Sequence, residues 1–493
     1  MTDESAFTPA LSPLDGRYRA VVAPLATWLS EEGLNQSRIQ VEVAWMVFVL
    51  NRHLVPHLEP LTEDQLRHLR SLHLFTDQDA RERLAAFERE TRHDVKAVEY
   101  LIREHLKTMP SAIKDAENTS LAELVHFLCT SEDINNLAYA LSIKQAITTV
   151  WLPVAQGLQR QVLEMSQRYA RVPMLARTHG QPATPTTVGK ELRVFAQRMS
   201  DRITRVQGID YRGKFNGATG TFSAHAAVLP DVDWFETSRA FVESLGLHWN
   251  PWTTQIEPHD WQIELYGEII HFNRIAHNLA TDAWAYISLG YFRQALAGQG
   301  STGSSTMPHK VNPIRFENAE ANLEMSDGVL ETLSRSLATT RFQRDLSDSS
   351  LQRNIGVGLG YSLVALDSLV RGLEHLDVNV EKTAADLRQH PEVLAEAIQQ
   401  ALRLAMLSAP QGVDDEPQIL DPQSDEPRSA DPYLLLKDLT RGKKVTLEAL
   451  REVIQGAQLP DALEETLVTM EPADYVGLAA ELAELDSQQS PRS

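Results

Sequence analysis

The chain has 493 residues, of which 43% are hydrophobic and 23% charged, and its formal net charge is −21. This acidic balance argues against general nucleic-acid binding, which favours a basic surface, although local basic pockets for an anionic ligand remain compatible with it. The single cysteine, Cys129, excludes an internal disulfide. Together with a polar, acidic N-terminus and no apolar run near 18 residues, it predicts a cytoplasmic protein without a membrane span.

Helical periodicity dominates the chain and predicts an all-α fold, because apolar residues recur at spacings of three and four. The chain is too long for one core, and we divide it into three helical domains. These are an N-terminal domain (1–120), a central bundle of long helices (121–375) and a C-terminal domain (376–493). The wide apolar faces of the long helices indicate an oligomer. The clearest apolar stripes comprise Trp151, Val154, Leu158, Val162, Met165 and Tyr169; Val188, Leu192, Phe195, Met199, Ile203 and Val206; and Leu351, Ile355, Leu359, Leu363, Leu366, Val370 and Leu373.

Three further segments carry local predictions. Asn216-Gly217 predicts a short hairpin within residues 214–222. The stretch from Asp260 to about Ala297 lacks proline and predicts one buried helix more than about 50 Å long. Residues 409–432 hold five prolines and seven acids against one arginine, which predicts an exposed, disordered insertion without a catalytic role.

Two polar clusters lie in the N-terminal region. SPLDGRYR (12–19) contains Arg17, whose planar guanidinium suits a carboxylate or phosphate, and Tyr18 beside it. TRHDVKAVEY (91–100) places His93, Asp94 and Lys96 at the start of a predicted helix, where an anion could bind. Taken alone, each cluster is more typical of a surface turn or a solvated helix start.

Two more clusters open predicted helices in the central region. In HFLCTSEDINN (126–136), Thr130 can cap a helix with Asp133 three residues later, and Ser131 offers a hydroxyl near the positive helix end. In ARTHGQPATPTTVGKE (176–191), His179 lies among polar residues in a loop bounded by glycine and proline. A lone histidine is more often structural, so the crowding of polar groups around His179 is what makes it a catalytic candidate.

The last clusters follow the long helix. GSSTMPHKVNP (303–313), within a loop at 298–313, is rich in hydroxyls and small residues. RFQRDLSDSSLQRN (341–354) concentrates Arg341, Arg344 and Arg353, which indicates a phosphate or carboxylate pocket. The alternative is a set of helix-end salt bridges with Asp345 and Asp348. The chain lacks the P-loop, HExxH and CxxC patterns, has no G-x-G-x-x-G after a predicted strand, and has no G-x-S-x-G around Ser304 or Ser305. We therefore predict no metal and no nucleotide cofactor.

GSSTMPHKVNP closely resembles the signature loop of the fumarase/aspartase superfamily. SPLDGRY, HDVKAVEY, CTSEDINN, RTHGQPATP, WNPWTTQIEPHD (249–260), RFQRDLSDSSLQRN and LTRGKKV (439–445) resemble, within it, the adenylosuccinate lyases of the bacterial long-chain type. This resemblance runs from residue 12 to beyond 440. It implies an all-α homotetramer whose core is the central helical bundle, with active sites assembled from three subunits. It further implies cleavage of adenylosuccinate to AMP and fumarate, and of SAICAR to AICAR and fumarate, in purine biosynthesis.

The resemblance also implies residue roles. Ser304 is expected to be the general base and His179 the general acid, with Lys310 supplying positive charge from the loop. Ser305 remains the alternative base, and His93 is expected either to contact the phosphate or to orient the acid. The two histidines could exchange roles. Arg92 departs from the pattern, since an asparagine is expected before the His-Asp pair. The expected substrate-binding residues are Arg17, Tyr18, Arg92, Asp94, Thr130, Ser131, Gln255, Ser305, Asn312, Asn318, Arg344, Ser349 and Arg353.

Two other functions remain as alternatives. One is another fumarate-releasing lyase of the same superfamily, such as an argininosuccinate lyase. The other is a non-catalytic scaffold protein on the same helical fold, which would require a damaged Ser304, Lys310 or His179. All three residues are present.

Overall fold

The computed structural model describes residues 9–56, 58–109, 121–295, 311–408, 420–421, 424–427, 433, 436, 445–457 and 459–485. Over these residues the fold is all-α, as the periodicity predicts. The helices in chain order are α1 (Arg19–Leu29), α2 (Glu31–Asn51), α3 (Glu63–Arg70), α4 (Gln78–Thr91), α5 (Asp94–Lys107), α6 (Leu121–Leu124), α7 (Ser131–Ala146), α8 (Leu152–Arg168), α9 (Val188–Gln207), α10 (Ser223–Val228), α11 (Trp234–Ser244), α12 (Asp260–Ser288), α13 (Ile314–Leu337), α14 (Ser347–Gln352), α15 (Ile355–Glu374), α16 (Val380–Arg388), α17 (Ala395–Ser408), α18 (Leu447–Gln455), α19 (Asp461–Thr469) and α20 (Ala479–Glu484).

The predicted apolar stripes are buried. Every stripe residue of α9, from Val188 to Val206, is less than a tenth exposed, and so are Ile355, Leu359, Leu363 and Leu366 of α15. Burial of each such side chain contributes on the order of 1.5–3 kcal/mol relative to exposure. The spacing of three and four therefore predicts the faces on which these helices pack.

Strands are short and occur in pairs. They are β1 (Pro173–Met174), β2 (Arg177–Thr178), β3 (Gln181–Pro182), β4 (Thr186–Thr187), β5 (Arg212–Gly213), β6 (His248–Trp249), β7 (Phe292–Gln294), β8 (Leu376–Val378), β9 (Leu420–Asp421) and β10 (Ser424–Pro427). The pairs β1–β4, β2–β3, β7–β8 and β9–β10 are antiparallel, and β5–β6 is parallel.

The prediction of a hairpin at residues 214–222 is wrong. Gly217 and Gly220 do have positive φ angles, of 84° and 74°. The strand before them, β5, however pairs in parallel with β6 rather than with the residues that follow the turn. The amides of Asn216 and Gly217 instead donate to the carboxylate of Asp133, with N–O distances of 3.0 and 3.1 Å. A buried acceptor on α7 thus takes the hydrogen bonds that a hairpin would have used.

The long helix α12 ends at Ser288, before the predicted end near Ala297. Gly290 has a φ of 73°, which closes the helix, and Phe292 then begins β7. β7 pairs with β8, so these residues obtain their hydrogen bonds from a distant part of the chain. With 29 residues, the helix is about 44 Å long.

A π-helical turn, Ile147–Trp151, separates α7 from α8. Pro153 follows it, and a proline in a helix lacks the N–H that would bond to the carbonyl four residues earlier. The backbone N–H of Leu152 bonds to the carbonyl of Ile147, one residue beyond the α-helical partner. The proline therefore accounts for the change in hydrogen bonding at this point.

The chain divides into two compact units, each made of three segments. Unit 1 comprises Met1–Leu158, Met199–Ala280 and Arg315–Val370, and unit 2 comprises Gln159–Arg198, Thr281–Ile314 and Arg371–Ser493. In unit 1, the fully buried Trp45 packs on Phe215 and Phe241, with ring centroids 4.2 and 4.8 Å away. In unit 2, α17, α18 and α19 share an apolar core that includes Ile398, Leu450 and Leu467. The division into domains 1–120, 121–375 and 376–493 stays a prediction.

Two further predictions concern the acidic insertion and the absence of a membrane span. Within the insertion 409–432, residues 420–421 and 424–427 form the β9–β10 pair, and the rest of the insertion lies outside the described residues. The disorder of the insertion stays a prediction. In the part of the chain that the structure describes, one segment, Ser347–Glu374, is long and apolar enough to cross a membrane. The most apolar stretch of this segment is 72% buried within the fold, as is typical of a core helix.

Candidate active site

Tyr18 and Asn318 are brought together in unit 1. Tyr18 directly precedes α1 and packs against Leu14, Tyr361 and Val364. Asn318 lies on α13, and its Nδ2 donates to the Tyr18 hydroxyl at 2.9 Å. Arg17, beside Tyr18, is exposed. The structure thus joins two predicted substrate-binding residues that are 300 positions apart in sequence.

His93 and Asp94 begin α5, as predicted. The Nδ1 atom of His93 accepts the backbone N–H of Lys96 at 3.3 Å, so the imidazole caps the helix. This contact leaves Nε2 of the exposed ring available to a ligand. Arg92, just before it, ends α4 with a φ of 53°. The left-handed backbone at this position is one that arginine adopts at a cost and glycine or asparagine adopts readily.

Asp94 is held between two arginines. Its Oδ2 lies 2.7 Å from Arg38 Nη2 and 3.0 Å from Arg353 Nη2. Burial alone would raise the pKa of Asp94, but Arg38, the Val95 N–H and Arg353 together outweigh burial and lower the pKa below its ordinary value. Arg353 also pairs with Glu31. Asp94 is therefore an ionised carboxylate that fixes the position of Arg353.

Arg344 lies in a second cluster with Glu132 and Gln255. Its Nη2 is 2.8 Å from Glu132 Oε1, and its Nη1 donates to Gln255 Oε1 at 3.4 Å. Burial raises the pKa of Glu132, although Arg344 and Asn135 act in the opposite direction. Ser349 is half-buried on α14 and donates its backbone N–H to Asp348 Oδ1 at 2.7 Å. The structure thus brings Gln255 and Arg344 together, as a shared substrate pocket would require.

Asn135 connects these two clusters. Its Oδ1 accepts Arg38 Nε at 2.9 Å, and its Nδ2 donates to Glu132 Oε1 at 2.8 Å. A continuous polar chain therefore runs from Arg353 to Arg344. Its members in order are Arg353, Asp94, Arg38, Asn135, Glu132 and Arg344. In such a network each guanidinium is positioned before any ligand arrives, which reduces the conformational cost of binding.

Thr130 and Ser131 lie at the start of α7, as predicted. The backbone N–H of Thr130 donates to Asp133 Oδ2 at 2.9 Å, which fixes the first turn. Asp133 is fully buried and paired with Lys214, whose Nζ lies 2.9 Å from Asp133 Oδ1. Both side chains have no exposed surface. This buried ion pair anchors the helix end whose free N–H groups favour an anion near Ser131.

His179 lies in unit 2, at the tip of the β2–β3 hairpin. His179 and Gly180 form its two-residue turn, with φ angles of 53° and 75°. Two consecutive positive φ angles are typical of the primed turns that suit the twist of a hairpin. Both residues are exposed. The local sequence thus places the imidazole on a projecting turn rather than in a core.

The base of this hairpin is firmly held. Arg177 Nη2 lies 2.8 Å from Asp386 Oδ2, and its Nη1 donates to the Tyr291 hydroxyl at 3.0 Å. Tyr291 in turn donates to Asp386. Beyond the hairpin, the Thr184 hydroxyl donates to Glu396 Oε2 at 2.6 Å. These contacts within unit 2 restrict the positions that the His179 backbone can adopt.

The signature loop is described only at its end. Asn312 is half-buried in the segment before α13, and the neighbouring Val311 carbonyl accepts Gln294 Nε2 at 3.2 Å. Ser304, Ser305 and Lys310 lie outside the described residues. The role of Ser304 or Ser305 as the base, and that of Lys310 as a source of positive charge, therefore stay predictions.

Comparisons with known proteins place the chain in a family. A family model described as lyase matches residues 16–325, and one described as adenylosuccinate lyase C-terminal matches residues 340–476. The adenylosuccinate lyase of Escherichia coli K12 is 42% identical over 471 residues, which cover 95% of this chain and 97% of that one. Those of Haemophilus influenzae and Vibrio cholerae are each 41% identical, over 96% of this chain and 98% of theirs.

The chain belongs to the adenylosuccinate lyase family. Two solved structures of more distant proteins share its fold. A fumarate lyase from Mesorhizobium sp. BNC1 is 17% identical with a TM-score of 0.69, covering 93% of this chain and 96% of its own. A 3-carboxy-cis,cis-muconate lactonizing enzyme from Pseudomonas putida is 19% identical with a TM-score of 0.70, covering 93% and 95%. Membership of the adenylosuccinate lyase family makes the chain a lyase, and the predicted superfamily is confirmed.

Several residues of the site were not predicted from the sequence. Arg38 is 1% exposed on α2 and Glu132 is 5% exposed on α7, yet both connect predicted ligand-binding groups. His259 is another residue that was not predicted. Its Nε2 lies 3.5 Å from Asp348 Oδ2, and both side chains are buried. Arg38 lies in the polar stretch NQSRIQ of α2, which gives no local signal that this arginine is buried. Within the adenylosuccinate lyase family motif CTSEDINN, Glu132 was adjacent to the predicted Ser131.

Proposed function

We propose that the chain is an adenylosuccinate lyase that cleaves adenylosuccinate to AMP and fumarate, and SAICAR to AICAR and fumarate. The observation that carries this proposal is the match at about 40% identity to relatives of that name over almost the whole of both chains. The match to the adenylosuccinate lyase C-terminal model also favours these substrates over argininosuccinate. The products are small molecules of purine nucleotide biosynthesis.

The reaction is a β-elimination that breaks a carbon–nitrogen bond. A base removes a proton from the succinyl carbon next to a carboxylate, and the electron pair is held as an aci-carboxylate. This pair then forms the fumarate double bond as the carbon–nitrogen bond breaks, and an acid protonates the departing nitrogen. We assign Ser304 as the base and His179 as the acid. Ser305 remains the alternative base, and His93 the alternative acid.

Serine is a weak base, so it needs surroundings that favour its alkoxide. Lys310, in the same loop, would supply positive charge, and closure of the loop would exclude water. His179 suits the role of acid because imidazole exchanges protons near neutral pH. Its place at the tip of a hairpin fixed by Arg177 supports this role, since a catalytic acid must be held in position while remaining accessible.

The polar chain from Arg353 to Arg344 supports the binding of an anionic nucleotide. We assign Arg17, Tyr18, Arg344, Ser349 and Arg353 to the phosphate and its surroundings. We assign Thr130, Ser131 and Gln255 to the succinyl carboxylates or the ribose. We assign the remaining expected contacts to Arg92, His93, Asp94, Ser305, Asn312 and Asn318.

We further propose a cytoplasmic homotetramer with active sites shared between subunits. Large apolar side chains on the surface of unit 1 support an oligomer, because Trp252 is 85% exposed and Phe342 is 93% exposed. The single cysteine, together with a formal net charge of −21, supports a cytoplasmic location.

The decisive test is an absorbance assay on purified protein with adenylosuccinate and, separately, argininosuccinate. We expect turnover of adenylosuccinate alone, with Ser304→Ala binding the substrate but scarcely turning it over. Turnover of argininosuccinate instead would identify a different lyase. Near-normal activity of Ser304→Ala, together with loss in Ser305→Ala, would reverse the assignment of the base. A wild-type protein that converts neither substrate would support a scaffold role.

A further inference from the structure

Three side chains with metal-binding atoms meet in unit 1, outside the polar chain described above. Glu42 lies on α2 and is fully buried, while His126 and Cys129 lie in the turn before α7. Their ligand atoms, a carboxylate oxygen, a ring nitrogen and the sulfur, all lie within 4.8 Å of one another. Two elements distant in sequence thus bring three different ligand types to one point.

The backbone of the turn explains how both side chains reach Glu42. His126 and Leu128 have positive φ angles of 64° and 59°, which non-glycine residues rarely adopt. The His126 amide donates to Glu42 Oε2 at 2.9 Å, and its Nδ1 lies 2.6 Å from Glu42 Oε1. The Cys129 thiol is 3.4 Å from the Phe127 carbonyl. One carboxylate therefore holds both the main chain and the ring of His126.

The other carboxylates near this cluster are already paired. Glu99 contacts Lys96 at 2.7 Å and Arg103 at 3.1 Å. Asp133 contacts Lys214 at 2.9 Å. Neither is free to neutralise an added cation, so the charge and the ligand atoms available to an ion are those of Glu42, His126 and Cys129.

We propose that Glu42, His126 and Cys129 form a binding site for a divalent ion of the Zn²⁺ class. Carboxylate oxygen, imidazole nitrogen and thiolate sulfur are the ligands that zinc prefers, at about 2.0–2.3 Å. At tetrahedral angles such bonds separate the ligand atoms by roughly 3.4 Å. The nitrogen–oxygen pair, at 2.6 Å, must then open by less than about 1 Å, and the sulfur, which lies within 4.8 Å of both atoms, must approach them by at most about 1.4 Å. The fourth position would be taken by water.

Binding replaces protons with the metal. The His126 imidazolium releases the Nδ1 proton that it shares with Glu42 and remains a neutral ring protonated at Nε2. The Cys129 thiol loses its proton to form the sulfur–metal bond, so two protons leave as one divalent ion binds. No electrons are transferred. The alternative is that the shared proton is the only occupant, and that His126 and Glu42 form a purely structural pair beside an inert thiol.

Co²⁺ is a suitable probe, because thiolate ligation gives it a charge-transfer band and tetrahedral coordination gives it intense d–d absorption. The chain has one cysteine, so a thiolate band can arise only at Cys129. The full-length protein, without a histidine tag, is reduced, freed of metal and titrated with Co²⁺. We expect a saturating band at one ion per chain that excess Zn²⁺ removes.

Three variants accompany the titration. Cys129→Ser should abolish the band, and His126→Gln should weaken Co²⁺ binding by at least about tenfold. His248→Gln, at a histidine that is 65% exposed and distant in sequence, is the matched control and should behave as wild type. A wild-type protein without a thiolate band would overturn the proposal. A band unchanged in His126→Gln would also do so, since it would mean that the thiol binds alone.

His126 is partly buried, so its variant could fail to fold, which far-UV circular dichroism would detect. X-ray absorption of the Zn²⁺-loaded wild-type protein then decides. We expect one sulfur and two or more nitrogen or oxygen ligands per zinc. A spectrum without sulfur would exclude the site. These readouts do not involve turnover, so they test the metal site independently of the proposed lyase activity.

Discussion

At the scale of single residues, Arg92 occupies a backbone position that disfavours its own side chain. It ends α4 with a φ of 53° and is exposed. We expect Arg92→Gly to raise the free energy of unfolding by about 0.5–1 kcal/mol, because glycine adopts this conformation without strain. Urea unfolding measures the change. Arg89→Gly, at an exposed position inside the same helix, should instead lower stability by about 1 kcal/mol. A loss of stability in both variants would contradict the explanation.

Arg344 provides a residue-scale test of the substrate pocket. Lysine keeps the charge near Glu132 but loses the planar fork that can bind an anion through two nitrogens. We expect Arg344→Lys to raise KM for adenylosuccinate about tenfold or more, with a smaller effect on kcat. Arg341→Lys is the control, since Arg341 is 81% exposed and pairs with Asp345 within its own segment. Equal effects at both positions would place the phosphate pocket elsewhere.

His225 makes a residue-scale prediction about pH. It is fully buried against Phe215, Phe222 and Trp234, and neither ring nitrogen has a hydrogen-bond partner among the described residues. Burial lowers its pKa, with Lys214 acting in the same direction and Asp133 against it. The unfolded chain therefore binds a proton more readily than the fold, and His225 reduces stability as pH falls below about 6.5.

We expect His225→Phe to be more stable than wild type, with an advantage that grows between pH 7 and pH 5. The growth should not exceed about 1.4 kcal/mol per pH unit, the limit for one proton. Denaturant unfolding at several pH values measures it, with His73→Gln, at an exposed histidine, as the comparison. A difference from wild type that does not vary with pH would show that the buried imidazole does not titrate on unfolding.

At the scale of elements, the β2–β3 hairpin depends on its anchor. Arg177 contacts Asp386 and Tyr291, and the hairpin carries His179 at its tip. We expect Arg177→Met to lower kcat by about 10- to 100-fold with little change in KM, because a misplaced acid slows the chemical step more than binding. Arg171→Met is the control, since Arg171 is 72% exposed and contacts Glu484. An unchanged kcat would mean that the anchor does not position His179.

The elements also show where sequence reasoning succeeds. The apolar stripes predict the buried faces of α9 and α15, because local spacing alone decides which side chains share a helix face. The end of α12 could not be predicted in this way. β7 stops the helix by pairing with β8, more than eighty residues later, and such a pairing leaves no local pattern.

The same distinction applies to the site. His93, Thr130, Ser131 and His179 lie at turns and helix starts, whose sequence patterns are local. Arg38 and Asn135 connect the two arginine clusters from within buried helices, where their periodicity resembles that of any core position. Sequence reasoning therefore proposed residues expected to touch a ligand, and it missed Arg38 and Asn135, which hold the arginines of the site in place.

At the scale of the whole molecule, the proposed sharing of sites between subunits predicts complementation. We expect His179→Asn and Ser304→Ala to be inactive separately. If the two residues of one site come from different subunits, mixed tetramers would regenerate about a quarter of the sites by random assembly. Activity after mixing and reassembly of the two variants measures this. A mixture as inactive as its components would show that His179 and Ser304 act within one chain.

The backbone at His179 limits which replacements are informative. A φ of 53° is tolerated by histidine, asparagine and aspartate far better than by β-branched residues. A mutational survey at this position would therefore penalise valine, isoleucine and threonine for their shape, whatever their chemistry. The same backbone constraint acts during evolution. It would restrict the residues found at position 179 even in a descendant protein that had lost the reaction. The substitutions tolerated at position 179 therefore reflect the backbone of the turn as well as catalysis. Asparagine accepts this backbone but lacks the imidazole, so it separates the two effects.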